Sequence, residues 1–104
     1  MATFLLTFHG GSMPESQEEG AKVMAAWTAW FGELGDKLVD GGNPISNVKT
    51  IAPDGSVTDG ATVAPSGYTI IKADSLDEAV TLAKGCPVLH GGASLVVGET
   101  FPVM

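Results

Sequence analysis

The hydrophobic patterning predicts an α+β subunit in the order β-α-β-β-α-β, with a four-stranded antiparallel sheet and both helices on one face. Three observations carry this expectation. Near the start, Phe4, Leu6 and Phe8 alternate with Thr3, Leu5 and Thr7, the two-residue period of a strand. Next, Met24, Trp27, Phe31, Leu34 and Leu38 recur three and four residues apart, the period of an amphipathic helix. Finally, two apolar strands at 68–73 and 94–99 bracket a short segment that opens with a helix-capping signature.

Taken in order, the first strand covers 3–8 and ends at His9-Gly10-Gly11. Ser12 with Glu15, or Ser16 with Glu19, offers a capping box, and Pro14 is tolerated in a first helical turn. The long helix is expected over 16–37, its apolar stripe widened by Val23 and Trp30. Gly20, Gly32 and Gly35 each weaken it by about 1 kcal/mol relative to alanine, or permit close backbone packing. An extended stretch begins at Val39, breaks at Gly41-Gly42-Asn43-Pro44 and resumes over 48–51. Pro53-Asp54-Gly55 and Asp59-Gly60 are turn signals. The strand at 68–73 leads to Asp74 or Ser75 as a cap, with Ser75 and Glu78 spaced as a capping box. Leu76, Ala79, Val80 and Ala83 form one apolar face, Gly85 and Pro87 stop the helix, and 94–99 is the last strand. This order is the ferredoxin-like pattern.

Leu5-Leu6, Ile70-Ile71 and Leu95-Val96-Val97 place apolar side chains on both faces of the expected sheet. Two helices cover one face. The economical cover for the other is a second copy, so a homodimer with its sheets packed together is expected.

Composition narrows the partners. The 104 residues form a single domain (1–104), with 12 acidic and 5 basic side chains and a net charge of −7. All five basic residues are lysines, Lys22, Lys37, Lys49, Lys72 and Lys84. With no arginine and no cationic cluster, the chain is not expected to bind nucleic acid or an anionic membrane. Cys86 is the single cysteine, which excludes an internal disulfide and suits a reducing compartment. No basic residue precedes the apolar start and no apolar run reaches the ~20 residues of a membrane helix, so a cytoplasmic protein is expected.

The stretch Gly67-Tyr68-Thr69-Ile70-Ile71-Lys72-Ala73-Asp74-Ser75-Leu76-Asp77-Glu78-Ala79, followed by Ala83-Lys84-Gly85-Cys86-Pro87, resembles the YCII-related domain family, DGPF branch. Gly91-Gly92-Ala93 before Ser94-Leu95-Val96-Val97 is similar to that family's Gly-Gly ahead of its last strand. The branch's Asp-Gly-Pro-Phe motif is represented by Asp59-Gly60, then Ala61 and Thr62. Where many relatives carry a histidine in the first helix, this chain has Ala25, Ala26 and Trp27. The resemblance implies a dimeric α/β-barrel of ferredoxin-like subunits. It also implies a cleft of the kind in which a few related barrels act as small-molecule lyases or isomerases with a histidine-aspartate pair.

Both histidines occur as His-Gly-Gly, at His9 and His90. Antiparallel first and last strands would bring these turns to one edge, and Asp74 is expected at that same end. Asp59 is expected near the opposite end, roughly 20 Å away. His9, with His90 or Asp74, is therefore the acid-base candidate, in a cleft beside Trp27. Histidine suits the role because its unperturbed pKa lies near 6.5. Trp27, Phe31 and Tyr68 are the candidate binding residues, with core packing as the alternative for the two on the helix. Two histidines without a third ligand make no metal site, and Cys86 beyond a helix C-terminus is not set up as a nucleophile. Asp74, Ser75, Asp77 and Glu78 are explained by capping and the helix dipole. The expected function is binding of a small, largely apolar metabolite, with cofactor-independent proton transfer of lyase or isomerase type. The alternative is a non-catalytic interaction or regulatory module.

Overall fold

The computed structural model describes residues 1–11 and 16–103. Strand β1 (Ala2–His9) leads to helix α1 (Gln17–Leu34), a 3₁₀ turn at Gly35–Lys37, and the short strand β2 (Leu38–Asp40). Strands β3 (Lys49–Ile51) and β4 (Val57–Asp59) follow, then β5 (Gly67–Ala73) and helix α2 (Leu76–Ala83). A second 3₁₀ turn at Pro87–Gly91 precedes β6 (Ser94–Glu99). The main sheet has the order β2-β5-β1-β6 and is antiparallel throughout. This is the four-stranded α+β arrangement expected from the patterning.

Local chemistry accounts for the element ends. Ser16 caps α1 by accepting from the Glu19 N–H at 3.1 Å, one of the two expected boxes; the other, Ser12 with Glu15, lies outside the described residues. Ser75 caps α2 in the same way through the Glu78 N–H. At the other end of α1, Gly35 takes a positive φ of 53° and its N–H returns to the Phe31 carbonyl.

The central strands divide their side chains cleanly. Phe4, Leu6 and Phe8 of β1 and Thr69, Ile71 and Ala73 of β5 are buried, against Trp30 and Leu34 of α1 and Ala79 and Ala83 of α2. Leu5 and Ile70, cross-strand partners, face the other way, and Leu5 is 38% exposed. Fully burying a side chain of this size stabilises by about 1.5–3 kcal/mol, so the covered face supplies the core and the open face does not.

Two expectations change. The 48–51 segment does not continue the sheet's second strand: β3 pairs with β4 in a separate hairpin, while β2, only three residues long, forms the sheet edge. The Asp54 carboxylate accepts from the Ser56 N–H and Gly55 takes φ 91°, which closes the tight turn between β3 and β4. The first half of the α1 stripe is also not core, with Val23 40% and Met24 66% exposed. The aromatic anchors Trp27, Trp30 and Phe31 all lie in the second half, and packing follows them.

Cys86 is fully buried, and burial pushes its thiol up to about 11 from the ordinary value of 9.0. Well below pH 9 the thiol is protonated in both folded and unfolded chains. Between 9 and 11 only the unfolded chain releases the proton, so stability falls across that window by on the order of 2 kcal/mol. Comparing urea midpoints of wild type and Cys86→Ala from pH 8 to 11 isolates this loss, which the variant lacks. At pH 8 native Cys86 should resist thiol alkylation and react once urea unfolds the chain.

Candidate functional site

The end of β1 and the start of β6 form one edge of the molecule. His9 pairs with Ser94 across the ladder, and Thr7 pairs with Val96 on one side and Tyr68 on the other. Strand alternation puts Leu5, Thr7 and His9 on one face and Phe4, Leu6 and Phe8 on the other. The His9 ring confirms its side directly: Nε2 lies 3.0 Å from the Thr7 hydroxyl oxygen two residues back. The half-buried imidazole therefore stands on the open face, at the end of an apolar strip of Leu5, Ile70 and Val96 with Tyr68 alongside. Its Nδ1 is buried and has no hydrogen-bond partner.

The two histidine turns do meet. A Cβ built on Gly11, at φ 94°, would lie 3.2 Å from the Ala93 Cβ and 3.8 Å from the Gly91 carbonyl oxygen, so the two loops touch through their glycines. His90 itself is exposed on the 3₁₀ turn. Asp74 is a correction. β5 runs antiparallel to β1, Ala73 pairs with Ala2, and Asp74 sits at the far end of the sheet from His9. Eight residue steps of strand place it roughly 26 Å away. Asp59 is in β4, ion-paired with Lys49 at 3.2 Å. Because the start of β5 pairs with Phe8, the segment that carries Asp59 enters the sheet at the His9 end, and the reason for expecting Asp59 opposite His9 falls together with the placement of Asp74.

Trp27 is also separated from His9. Phe8 packs on Trp27 with ring centroids 5.7 Å apart, and Trp27 in turn meets Trp30 and Phe31 at 5.6 Å. This cluster lies between α1 and the covered face, one residue and one sheet thickness from His9. The expected cleft holding both is not formed within the chain. Phe31 rests on Gly41, where a Cβ would come within 3.2 Å of its ring. Two concave regions lie elsewhere. One is an open depression of about 740 Å³ at the base of the hairpin, lined by Asn47, Lys49, Asp59 and Gly60 among others. The other is a groove of about 120 Å³ lined by Val80, Lys84, Leu89 and Leu95 among others.

Thr7 is the site residue that sequence reading passed over, although a threonine two positions before a strand-end histidine is its same-face neighbour by alternation alone. Among the described residues no group of three or more His, Cys, Asp or Glu side chains is placed to hold a metal ion. Likewise, no helix among them is long and apolar enough to cross a membrane.

No family model matches the chain, and no curated protein matches it in sequence. Among solved structures, it is similar to 5-chloro-2-hydroxyhydroquinone dehydrochlorinase (TftG) from Burkholderia phenoliruptrix AC1100, solved in complex with 2,5-dihydroxybenzoquinone. The two share 21% identity over 95% of this chain and 93% of the other, with a TM-score of 0.56. A protein of unknown function from Galdieria sulphuraria aligns with 99% of this chain and 47% of its own at 9% identity, and its TM-score of 0.36 carries no argument. The likeness to the dehydrochlorinase concerns the fold: a small α+β subunit whose four-stranded antiparallel sheet carries two helices on one side.

Proposed function

We propose that this chain is a YCII-related protein that acts as a homodimeric α/β-barrel. It binds a small, largely apolar metabolite on the open face of the sheet and carries out cofactor-independent proton transfer there, of lyase or isomerase type. The observation that carries the reading is the Thr7–His9 pair, a single oriented imidazole on a face that carries Leu5, Ile70 and Val96, with Ser94 beside His9 and Lys72 at the far end. A mostly apolar surface with one or two convergent polar groups is the usual composition of a small-molecule site. The dehydrochlorinase of similar fold was solved with a small cyclic quinone, a compact ring with oxygens that a hydroxyl or an imidazole can meet.

A second copy supplies the missing wall. The chain exposes 7153 Å², whereas a monomer of 10.6 kDa is expected to expose roughly 5,500 Å². Its radius of gyration is 15.2 Å against about 13 Å for a compact domain of this length. The excess area is of the order that one partner buries in a standard interface, about 800 Å², or more. Packing two open faces together would cover Leu5, Ile70 and Val96 and turn the exposed strip into an enclosed cleft.

Three measurements test this. Titration with 2,5-dihydroxybenzoquinone should show saturable binding to the wild type, weakened at least tenfold in His9→Ala; equal binding by both would remove His9 from the site. Any dehydrochlorination or isomerisation of a hydroxyquinol should disappear in the same variant while its mass in solution is unchanged. Light scattering at micromolar concentration should give twice 10.6 kDa, and a monomer would leave the open face uncovered and sink the barrel assembly.

A further inference from the structure

We infer that His9 stands as the Nε2–H tautomer and donates to Thr7, so that the Thr7 hydroxyl is the donor this site turns toward a ligand oxygen. The ligand half of this inference rests on the reading of the open face given above.

The two imidazole nitrogens have unlike surroundings. Nε2 lies 3.0 Å from the Thr7 Oγ1, and Nδ1 is buried without a partner. A neutral imidazole has one N–H donor and one bare acceptor nitrogen. With the proton on Nδ1, a buried N–H would be left without an acceptor, an arrangement that folded proteins rarely tolerate. With the proton on Nε2, the donor is satisfied by Thr7 and only a lone pair is left over, which is the less costly omission.

This choice settles what Thr7 offers. Its oxygen accepts from Nε2–H, which leaves its own O–H free to donate, since a hydroxyl has one donor and two acceptor positions. An oxygen that already accepts a hydrogen bond becomes a stronger donor through the chain. Thr7 stands between Tyr68 and Val96 on the open face, the same strip where the apolar body of a ligand would lie, so a ligand there is beside that donor. The site therefore takes a compact molecule with an accepting oxygen, a ketone, quinone or enolate, with its carbon skeleton over Leu5, Ile70 and Val96. His9 is then the positioning residue, and Thr7 touches the ligand.

The experiment has two arms. Histidine ¹⁵N spectra, recorded where the ring is neutral, should show His9 Nε2 as the protonated nitrogen and Nδ1 as the bare one. Thr7→Val, which keeps the β-branched shape, should lose this preference, and Thr7→Ser should keep it. A protonated Nδ1 in the wild type overturns the tautomer assignment. In the second arm, Thr7→Val should weaken 2,5-dihydroxybenzoquinone binding about 5- to 10-fold, with Thr7→Ser recovering most of the loss. Unchanged affinity in Thr7→Val overturns the ligand half while the open-face reading stands. No binding by the wild type overturns that reading and the ligand half together, and the spectra still decide the tautomer.

Discussion

Replacing Gly42 by alanine should destabilise the fold by about 3 kcal/mol or more, the largest effect expected of any single-atom addition to this chain. Gly42 has φ 77°, a region that costs an L-residue roughly 1–2 kcal/mol. Steric conflict then adds to strain: an ideal Cβ there would stand 1.6 Å from the Tyr68 carbonyl oxygen and 2.6 Å from its carbonyl carbon. Neither atom is the end of a flexible side chain; both belong to β5, the strand between β2 and β1. Relief requires the 40–45 loop to lift away from the sheet. That movement threatens the Thr69 hydroxyl bond to the Gly41 carbonyl at 3.0 Å, the Pro44–Gly67 bridge, and the Ile45 N–H bond to the Ser66 carbonyl at 3.0 Å. Thermal unfolding should shift down by on the order of 12–20 °C. Two other glycines calibrate the result. Gly55→Ala, at φ 91° with nothing within 4 Å of the new methyl, should cost only the conformational 1–2 kcal/mol. Gly32→Ala, inside α1 and equally unobstructed, should stabilise by about 0.5–1 kcal/mol. If Gly42→Ala costs no more than Gly55→Ala, the close approach to Tyr68 is not a constraint on the fold.

That same loop marks where sequence reading stopped working. Strands with strong alternation, β1 and β5, and helices with side-chain caps, Ser16 and Ser75, are legible because each rests on contacts within a few residues. The 41–66 region is not. Gly41, Gly42, Pro44 and Gly60 are breakers that permit many paths, and the choice among them is made by β5, through Thr69 and Gly67, far along the chain. Expecting 48–51 to resume the stretch begun at Val39 placed it in the main sheet, whereas its β-branched residues serve equally well in a separate hairpin. Gly20 and Gly32 show the opposite case: close packing was one reading of them, yet nothing approaches either one.

The candidate site was half legible. Topology alone brings the two His-Gly-Gly turns together, and Gly11 against Ala93 bears that out. Placing Asp74 with them reversed the direction of β5. Placing His9 beside Trp27 overlooked that Phe8, the next residue in an alternating strand, already holds the Trp27 side of the sheet. The consequence is positional: any site that uses His9 and Thr7 has to be sought on the open face, and not between sheet and helix.

Trp30→Ala should cost about 3–5 kcal/mol, because this residue joins the two helices through both area and a hydrogen bond. It is only 3% exposed, and its indole N–H donates to the Leu82 carbonyl at 3.0 Å, one of the last-turn carbonyls that α2 cannot satisfy internally. The Gly85 N–H reaches the same carbonyl at 3.2 Å, so removal of the indole donor leaves a weakened acceptor and not an orphan. Trp30→Phe, which keeps much of the apolar area and loses the donor, should accordingly cost about 1 kcal/mol. Gly85→Ala approaches the contact from the other side, since its Cβ would lie 3.1 Å from the Trp30 Cδ1 and 3.3 Å from Nε1. An alanine there forces the ring to yield by a few tenths of an ångström, and combining it with Trp30→Phe should cost less than the sum of the two single changes, because the smaller ring relieves the crowding. Urea unfolding of the four proteins measures this directly. Additive costs would show that Gly85 and Trp30 do not share a packing constraint, and a Trp30→Ala cost below about 1.5 kcal/mol would move the anchor of α1 elsewhere in the aromatic cluster, to Trp27 or Phe31.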